Sequence, residues 1–270
     1  MIIAVIADIH ANLPALRAVL KHARAAGAGP IWNVGDHLGY GPFPSEVVDA
    51  IQKKRFVNIL GNYDAKVLRV PDNGHVRKTN RCKLRELAFS WAYENLTPAQ
   101  RSYLQSLPAA LRLTLGPWRV LLVHGSPASP TEHISPSLPP DRLQELAALA
   151  EADLVICGHT HRPFLTQAGG TWFLNPGSVG RPDDRDPRSA YALLTLTPSG
   201  ALSARFFRLP YDCQKTAAAV QKKGLPPEFA QMFLQGCALD DILDQQSLSE
   251  QAALLPPPPQ SCPNPPPQGV

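Results

Sequence analysis

Apolar runs that break off abruptly at short polar turns punctuate the first two thirds of this chain. Met1 to Ala7 is almost wholly apolar, which predicts a strand buried on both faces. From Leu13 to Ala25 the apolar residues recur at Leu13, Leu16, Val19 and Leu20, with Pro14 suited to a first helical turn and Gly27 to a stop, so a helix is expected there. Ile31 to Val34, Glu46 to Lys53 and Phe56 to Leu60 continue the alternation as strand, helix and strand. That order is the signature of parallel βαβ units.

The pattern changes over residues 72 to 108. A polar turn at Asp72-Asn73-Gly74, a helical stretch from Leu84 to Glu94 and a second helix opened by Thr97-Pro98 predict a helical insertion. Strands resume at Leu111 to Leu115 and Arg119 to Val123 around the Gly116-Pro117 turn. A loop from Ser126 to Pro140 carries five prolines, a helix follows from Asp141 to Glu151, and Leu154 to Cys157 is another strand. Antiparallel signals then dominate: Phe164 to Gln167, Trp172 to Leu174, Ser189 to Leu196 and Ala201 to Phe207. They predict a second sheet packed on the first. Helical stretches between Asp212 and Asp244 close a domain expected to span 1–244. Residues 245–270 hold the proline runs 256–259 and 265–267, which lack amide donors and predict an extended, mobile tail.

Composition narrows the possibilities. The 270 residues are 44% hydrophobic and 18% charged, enough for one large core. The net charge of +4 is spread without long like-charge blocks, so no stable nucleic-acid partner is inferred. No apolar stretch is long enough for a membrane span. Five cysteines without a CxxC pair or a signal peptide predict reduced thiols in the cytoplasm. Cys157 reads as a small hydrophobe within its strand rather than a ligand. Oligomeric state is not encoded in any visible pattern.

Metal-binding side chains cluster at the ends of the apolar runs: Asp8-Ile9-His10, Gly35-Asp36, Gly61-Asn62-Tyr63-Asp64, His124-Gly125 and Gly158-His159-Thr160-His161. Each follows a predicted strand, and in an open α/β sheet ligands gather beyond the carboxyl ends of the strands. A single Asp-x-His is common by chance, whereas five clusters at one topological position are not. The two-residue spacing of Asp8 and His10, and of His159 and His161, would put each pair on one side of an extended segment. Together they offer enough oxygen and nitrogen donors for two adjacent divalent ions, an arrangement suited to phosphoester hydrolysis. Val123-His124-Gly125-Ser126-Pro127 is not a serine-hydrolase elbow, and no P-loop is present.

In motif order D-x-H, G-D, G-N-H-D, G-H and G-H-x-H, the chain resembles the calcineurin-like metallophosphoesterases over roughly residues 1 to 210. Gly39-Tyr40-Gly41-Pro42 and Asn175-Pro176-Gly177-Ser178 further resemble the small prokaryotic phosphodiesterase branch. The resemblance implies an α/β fold in which two sheets of mixed strands form a sandwich flanked by helices, with four layers in α/β/β/α order. It implies that Asp8, His10 and His161 hold one metal, that Asn62, His124 and His159 hold the other, and that Asp36 bridges them. Such mixed donors suit Mn, Fe, Zn, Co or Ni, with manganese the leading expectation. Two ions roughly 3.5–4 Å apart can acidify a water that attacks phosphorus. The implied substrate is a small phosphodiester such as a cyclic nucleotide. A phosphomonoester, a dinucleoside polyphosphate or a catalytically weak metal-binding scaffold are the alternatives. The Asp-Arg-Gly segment of protein phosphatases is absent after Asp36.

One position departs from the family pattern. Tyr63 stands where a histidine is usual, with Asp64 expected to orient it. A phenol of pKa about 10 releases a proton less readily than an imidazole of about 6.5, which predicts a preference for good leaving groups. His37, Asn12 and Arg181 are further candidates for substrate contact. Of the remaining histidines, His22, His75 and His133 are expected to lie on the surface.

Overall fold

The computed structural model describes residues 1–53, 56–70 and 80–254. The first sheet has strand order β10-β9-β1-β2-β3, formed by β10 (Leu202–Leu209), β9 (Ser189–Leu196), β1 (Ile2–Ile6), β2 (Ile31–Asn33) and β3 (Phe56–Asn58). The second has order β4-β5-β6-β8-β7, from β4 (Ala110–Leu115), β5 (Trp118–Val123), β6 (Leu154–Ile156), β8 (Thr171–Asn175) and β7 (Phe164–Ala168). In each sheet three adjacent strands run parallel, β1, β2 and β3 in one and β5, β6 and β8 in the other. Antiparallel strands complete the rest.

Strand parity decides what lies between the sheets. Ile3, Val5 and Ala7 of the first sheet meet Trp118, Val120, Leu122, Leu154 and Ile156 of the second in one buried core. The alternate residues face helices. Ala4 and Ile6 pack on Leu13, Leu16 and Val19 of α1 (Leu13–Ala25), together with Val47 and Ile51 of α2 (Pro44–Ile51). On the far side Leu121, Val155 and Phe173 pack on Leu143, Leu146 and Ala147 of α6 (Pro140–Ala150). Every central strand is therefore apolar on both faces, which is why its sequence reads as an unbroken run. Four layers in α/β/β/α order result.

The allotment of strands corrects the sequence expectation. β9 and β10 do not belong to the second sheet; they extend the first, with β9 pairing along β1. β5 and β6 lie in the second sheet, between β4 and β8. A helix also forms where none was expected: α3 (Asn62–Leu68) begins inside the third motif. After it come α4 (Asn80–Glu94) and α5 (Pro98–Gln105), where Thr97 and Gln100 form a reciprocal cap. Helices α7 (Cys213–Lys222), α8 (Pro227–Gln235) and α9 (Leu239–Leu254) pack into a cluster that Tyr40, Tyr63 and Ala88 join. α9 runs past the expected domain end at Asp244. Asp72-Asn73-Gly74, His75 and both proline runs lie outside the described residues. Among the described residues no helix is long and apolar enough to cross a membrane.

Candidate metal centre

The five motif clusters meet at one edge of the sandwich, on the seam between the two sheets. Asp8, Asp36 and Asn62 follow β1, β2 and β3 of the first sheet, while His124 and His159 to His161 follow β5 and β6 of the second. Backbone hydrogen bonds stitch the seam: Gly180 N donates to Asp8 O at 3.0 Å, and Val179 N to Ala7 O at 3.0 Å. His159 N donates to the Asp8 carboxylate at 3.1 Å.

The ligand-bearing loops are not extended, as the two-residue spacings suggested. Asp8, His10, Asp36, His159 and His161 all have positive φ, between 47° and 68°. It is left-handed turns that aim these side chains inward, a conformation that costs non-glycine residues energy and marks functional sites. Two glycines allow the loops to close. A Cβ on Gly61 would stand 2.0 Å from Asp36 N, and one on Gly180 would stand 1.8 Å from Ile9 O.

Two overlapping groups of donors result, each with ligand atoms within 4.8 Å of one another: Asp8, His10 and His161, and Asp8, Asp36 and His124. All five residues are buried. His161 Nε2 lies 3.5 Å from Asp8 Oδ1, and Asp36 Oδ2 lies 3.3 Å from His124 Nε2 and 3.9 Å from His10 Nε2. Asn62 presents Oδ1 2.8 Å from His124 Nε2. Three imidazoles share one tautomeric scheme, their Nδ1 atoms donating to the carbonyls of Leu38 (His10, 3.1 Å), Val34 (His124, 2.8 Å) and Arg181 (His161, 2.6 Å). Each Nε2 is thereby turned into the cluster, the outer-contact scheme of metal-bound histidine.

His159 uses the opposite nitrogen. Its Nε2 lies 3.2 Å from Thr131 O, leaving Nδ1 for the cluster side, and its ring packs edge-on to His124 at 5.3 Å and His133 at 4.7 Å. The Ser126–Pro140 loop that carries Thr131 is pinned by Ser126 and Arg142, which both bind Glu132. His133 is exposed, as expected, yet it adjoins the site, which nothing in its sequence neighbourhood signalled.

Electrostatics follow from burial and charge pairing. Burial alone would raise both carboxyl pKa values, but the nearby imidazoles lower them, those of His161 and His124 for Asp8 and those of His124 and His10 for Asp36. Burial opposes charge on His124, yet Asp36 and Asp8 lift it to about 9. His10 is pushed well below the usual imidazole value by burial and the Arg181 charge, and His159 to about 4 by burial and His124. Ionised carboxylates beside His10 and His159, both pushed towards the neutral form, give the donor character a divalent cation requires, and a cation at the cluster would take the place of the extra proton on His124.

The expected catalytic and substrate residues divide. Tyr63 sits over the cluster, its ring edge-on to His10 at 5.2 Å and its backbone N donating to Asp36 Oδ1 at 2.8 Å. Asp64 does not orient it. The Asp64 oxygens accept from His37 Nδ1 at 2.7 Å, Gly61 N at 2.9 Å and Leu38 N at 3.0 Å, so Asp64 fixes the second and third motifs to each other. His37 is thus a buried strut rather than a substrate contact. Asn12 is also corrected: its amide donates to Gly180 O and Tyr211 OH and accepts from Ala15 N and Thr216 Oγ1. It is the N-cap of α1, fully occupied within the protein. Arg181 lies at the cluster, with Nη2 3.5 Å from His161 Nε2. Cys157 packs on the α6 side of the second sheet, where burial pushes its thiol pKa up.

The calcineurin-like phosphoesterase superfamily domain matches residues 1–199. Uncharacterized protein MJ0912 of Methanocaldococcus jannaschii is 28% identical over 249 residues, covering 87% of this chain and 98% of that protein. Phosphodiesterase YfcE of Escherichia coli is 27% identical over 187 residues, covering 69% of this chain and 83% of YfcE. The crystal structure of a metallophosphoesterase from Sphaerobacter thermophilus matches with a TM-score of 0.71 at 30% identity, covering 87% of this chain and 99% of that one. The chain belongs to the calcineurin-like phosphoesterase superfamily.

Proposed function

We propose that this calcineurin-like phosphoesterase is a two-metal phosphodiesterase that hydrolyses small diesters, cyclic nucleotides among them. The observation that carries the metal reading is the pair His10 and His161. Both donate Nδ1–H to backbone carbonyls, so their Nε2 atoms are left to face each other across 3.1 Å. A shared proton or a shared metal cation relieves such a contact, and a divalent cation would satisfy both rings and Asp8 at once. Asp8, His10 and His161 would hold one ion, and Asn62, His124 and His159, through Nδ1, would hold the other. Asp36, whose Oδ2 reaches both His10 and His124, would bridge.

When bound, the ions would supply Lewis acidity towards the phosphoryl group and an acidified water as nucleophile. The remaining chemistry belongs to the chain itself. Leu38, Val34 and Arg181 carbonyls hold the three imidazoles in the ligand tautomer. Asp36 has a second duty, accepting from Tyr63 N and so fixing the start of α3 beside the ligands. Tyr63 offers a phenol above His10 where the family usually places an imidazole. It can donate a hydrogen bond to a departing oxygen, and phenols as a class are weaker general acids than imidazoles. Diesters whose leaving groups depart without protonation suit it best. The likeness to a protein named phosphodiesterase supports the same reading.

The test is hydrolysis of bis(p-nitrophenyl) phosphate by protein stripped with chelator and reloaded with manganese, followed by a panel of linear and 2′,3′- or 3′,5′-cyclic diesters. Turnover that appears with manganese and vanishes with chelator is expected. Protein that binds the ions yet turns over no diester with Mn, Fe, Zn, Co or Ni would refute it.

A further inference from the structure

Arg181 is 9% exposed, and its Nε is buried without a hydrogen-bond partner. No carboxylate of the described residues forms an ion pair with its guanidinium. Asp183 and Asp8 favour its charge from beyond ion-pair distance, yet a buried guanidinium with an unfilled donor is costly, and an anion arriving at the site would complete it. The group is also precisely placed by its own main chain. Arg181 N donates to Ser178 Oγ at 2.9 Å, Ser178 Oγ donates to Asp8 O at 2.9 Å, and Arg181 O accepts from His161 Nδ1 at 2.6 Å. One residue thereby ties its side chain to both loops that carry the first group of ligands. The guanidinium faces the rings of Tyr40 at 5.3 Å and Tyr63 at 6.0 Å, while Nη2 borders the cluster beside His161. Tyr40 and Tyr63 approach each other OH to OH at 3.4 Å, roofing the arginine with aromatic faces that favour a cation without neutralising it.

We propose that Arg181 is the anion-binding residue of the site, taking a non-bridging phosphoryl oxygen of substrate and of product phosphate beneath the Tyr40–Tyr63 roof. The proposal rests on the phosphoesterase reading for its substrate, but it is a statement about oxyanion affinity and is read without turnover. A planar fork suits tetrahedral oxyanions better than a point charge does, so lysine should replace it only in part.

Calorimetric titration of the manganese-loaded, full-length protein with inorganic phosphate tests it, with bound manganese counted in every sample. Arg181→Met is expected to keep the wild-type manganese content and melting temperature while weakening phosphate binding roughly ten- to hundredfold. Arg181→Lys should fall between. Unchanged phosphate affinity in Arg181→Met overturns the proposal. So does loss of manganese or of the fold in both variants, since Arg181 would then be a structural member of the ligand shell. Wild-type protein that binds phosphate through Arg181 but hydrolyses no diester refutes the enzymatic reading and leaves this one standing.

Discussion

The two sides of the candidate metal centre are built to different standards of rigidity. On the side of His10 and His161 both rings are buried, both Nδ1 atoms are held by carbonyls of neighbouring motif loops, and Tyr40, Tyr63 and Arg181 close the top. On the side of His159 the ring is half-buried, its anchor is the carbonyl of exposed Thr131 on a proline-rich loop, and exposed His133 is its neighbour. A ligand held by a shared core moves only if the core moves. One held by a surface loop can turn when that loop opens. If the proposed pair of ions is bound, the first side is expected to hold its ion and the second to exchange it.

The largest effect should come from removing what the sides share. Asp36→Ala deletes the carboxylate between His10 and His124, and turnover of an activated diester is expected to fall by about 10²–10³ or more. Residual activity near wild type would dissolve the shared-centre picture. Next come the two sides separately: His161→Ala should abolish slow-exchanging manganese, whereas His159→Ala should remove only the fast-exchanging fraction, measured by metal analysis during timed chelation. Equal losses would show that the sides do not differ. Tyr63→His should raise the rate on poor leaving groups by up to about 10² while changing activated diesters little. A change of the same size on both means residue 63 does not meet the leaving oxygen. The smallest effect is expected from His133→Ala, which should speed manganese release a few-fold, on the order of the tenfold effects of outer contacts, with turnover at saturating metal unchanged.

The central strands and ligand clusters were legible because a strand buried on both faces leaves an uninterrupted apolar run, and Asp8, Asp36, His124 and His159 each stand just beyond one. Which sheet a strand joins was not legible. β5 and β9 are both apolar on either face, and pairing partners far apart in sequence leave no local mark on them. The left-handed turn at His10 was missed for a related reason: the backbone there is held by His10 N donating to Asp36 O and Ala11 N to His37 O, in a segment distant in sequence. Asn12 could have been read correctly, since an asparagine directly before Leu13-Pro14 is a helix cap by position. The His37–Asp64 strut could not, because nothing in two short motifs shows that one will lean on the other.

Because the donors are drawn from opposite sheets, cations seated among them would act as rivets through the sandwich. Their binding free energy would then count towards cohesion of the two layers as well as towards chemistry. Depleting them would unfasten the molecule along the same plane in which Val5 meets Val120, so loss of activity and slackening of the interior would be one event seen from two ends.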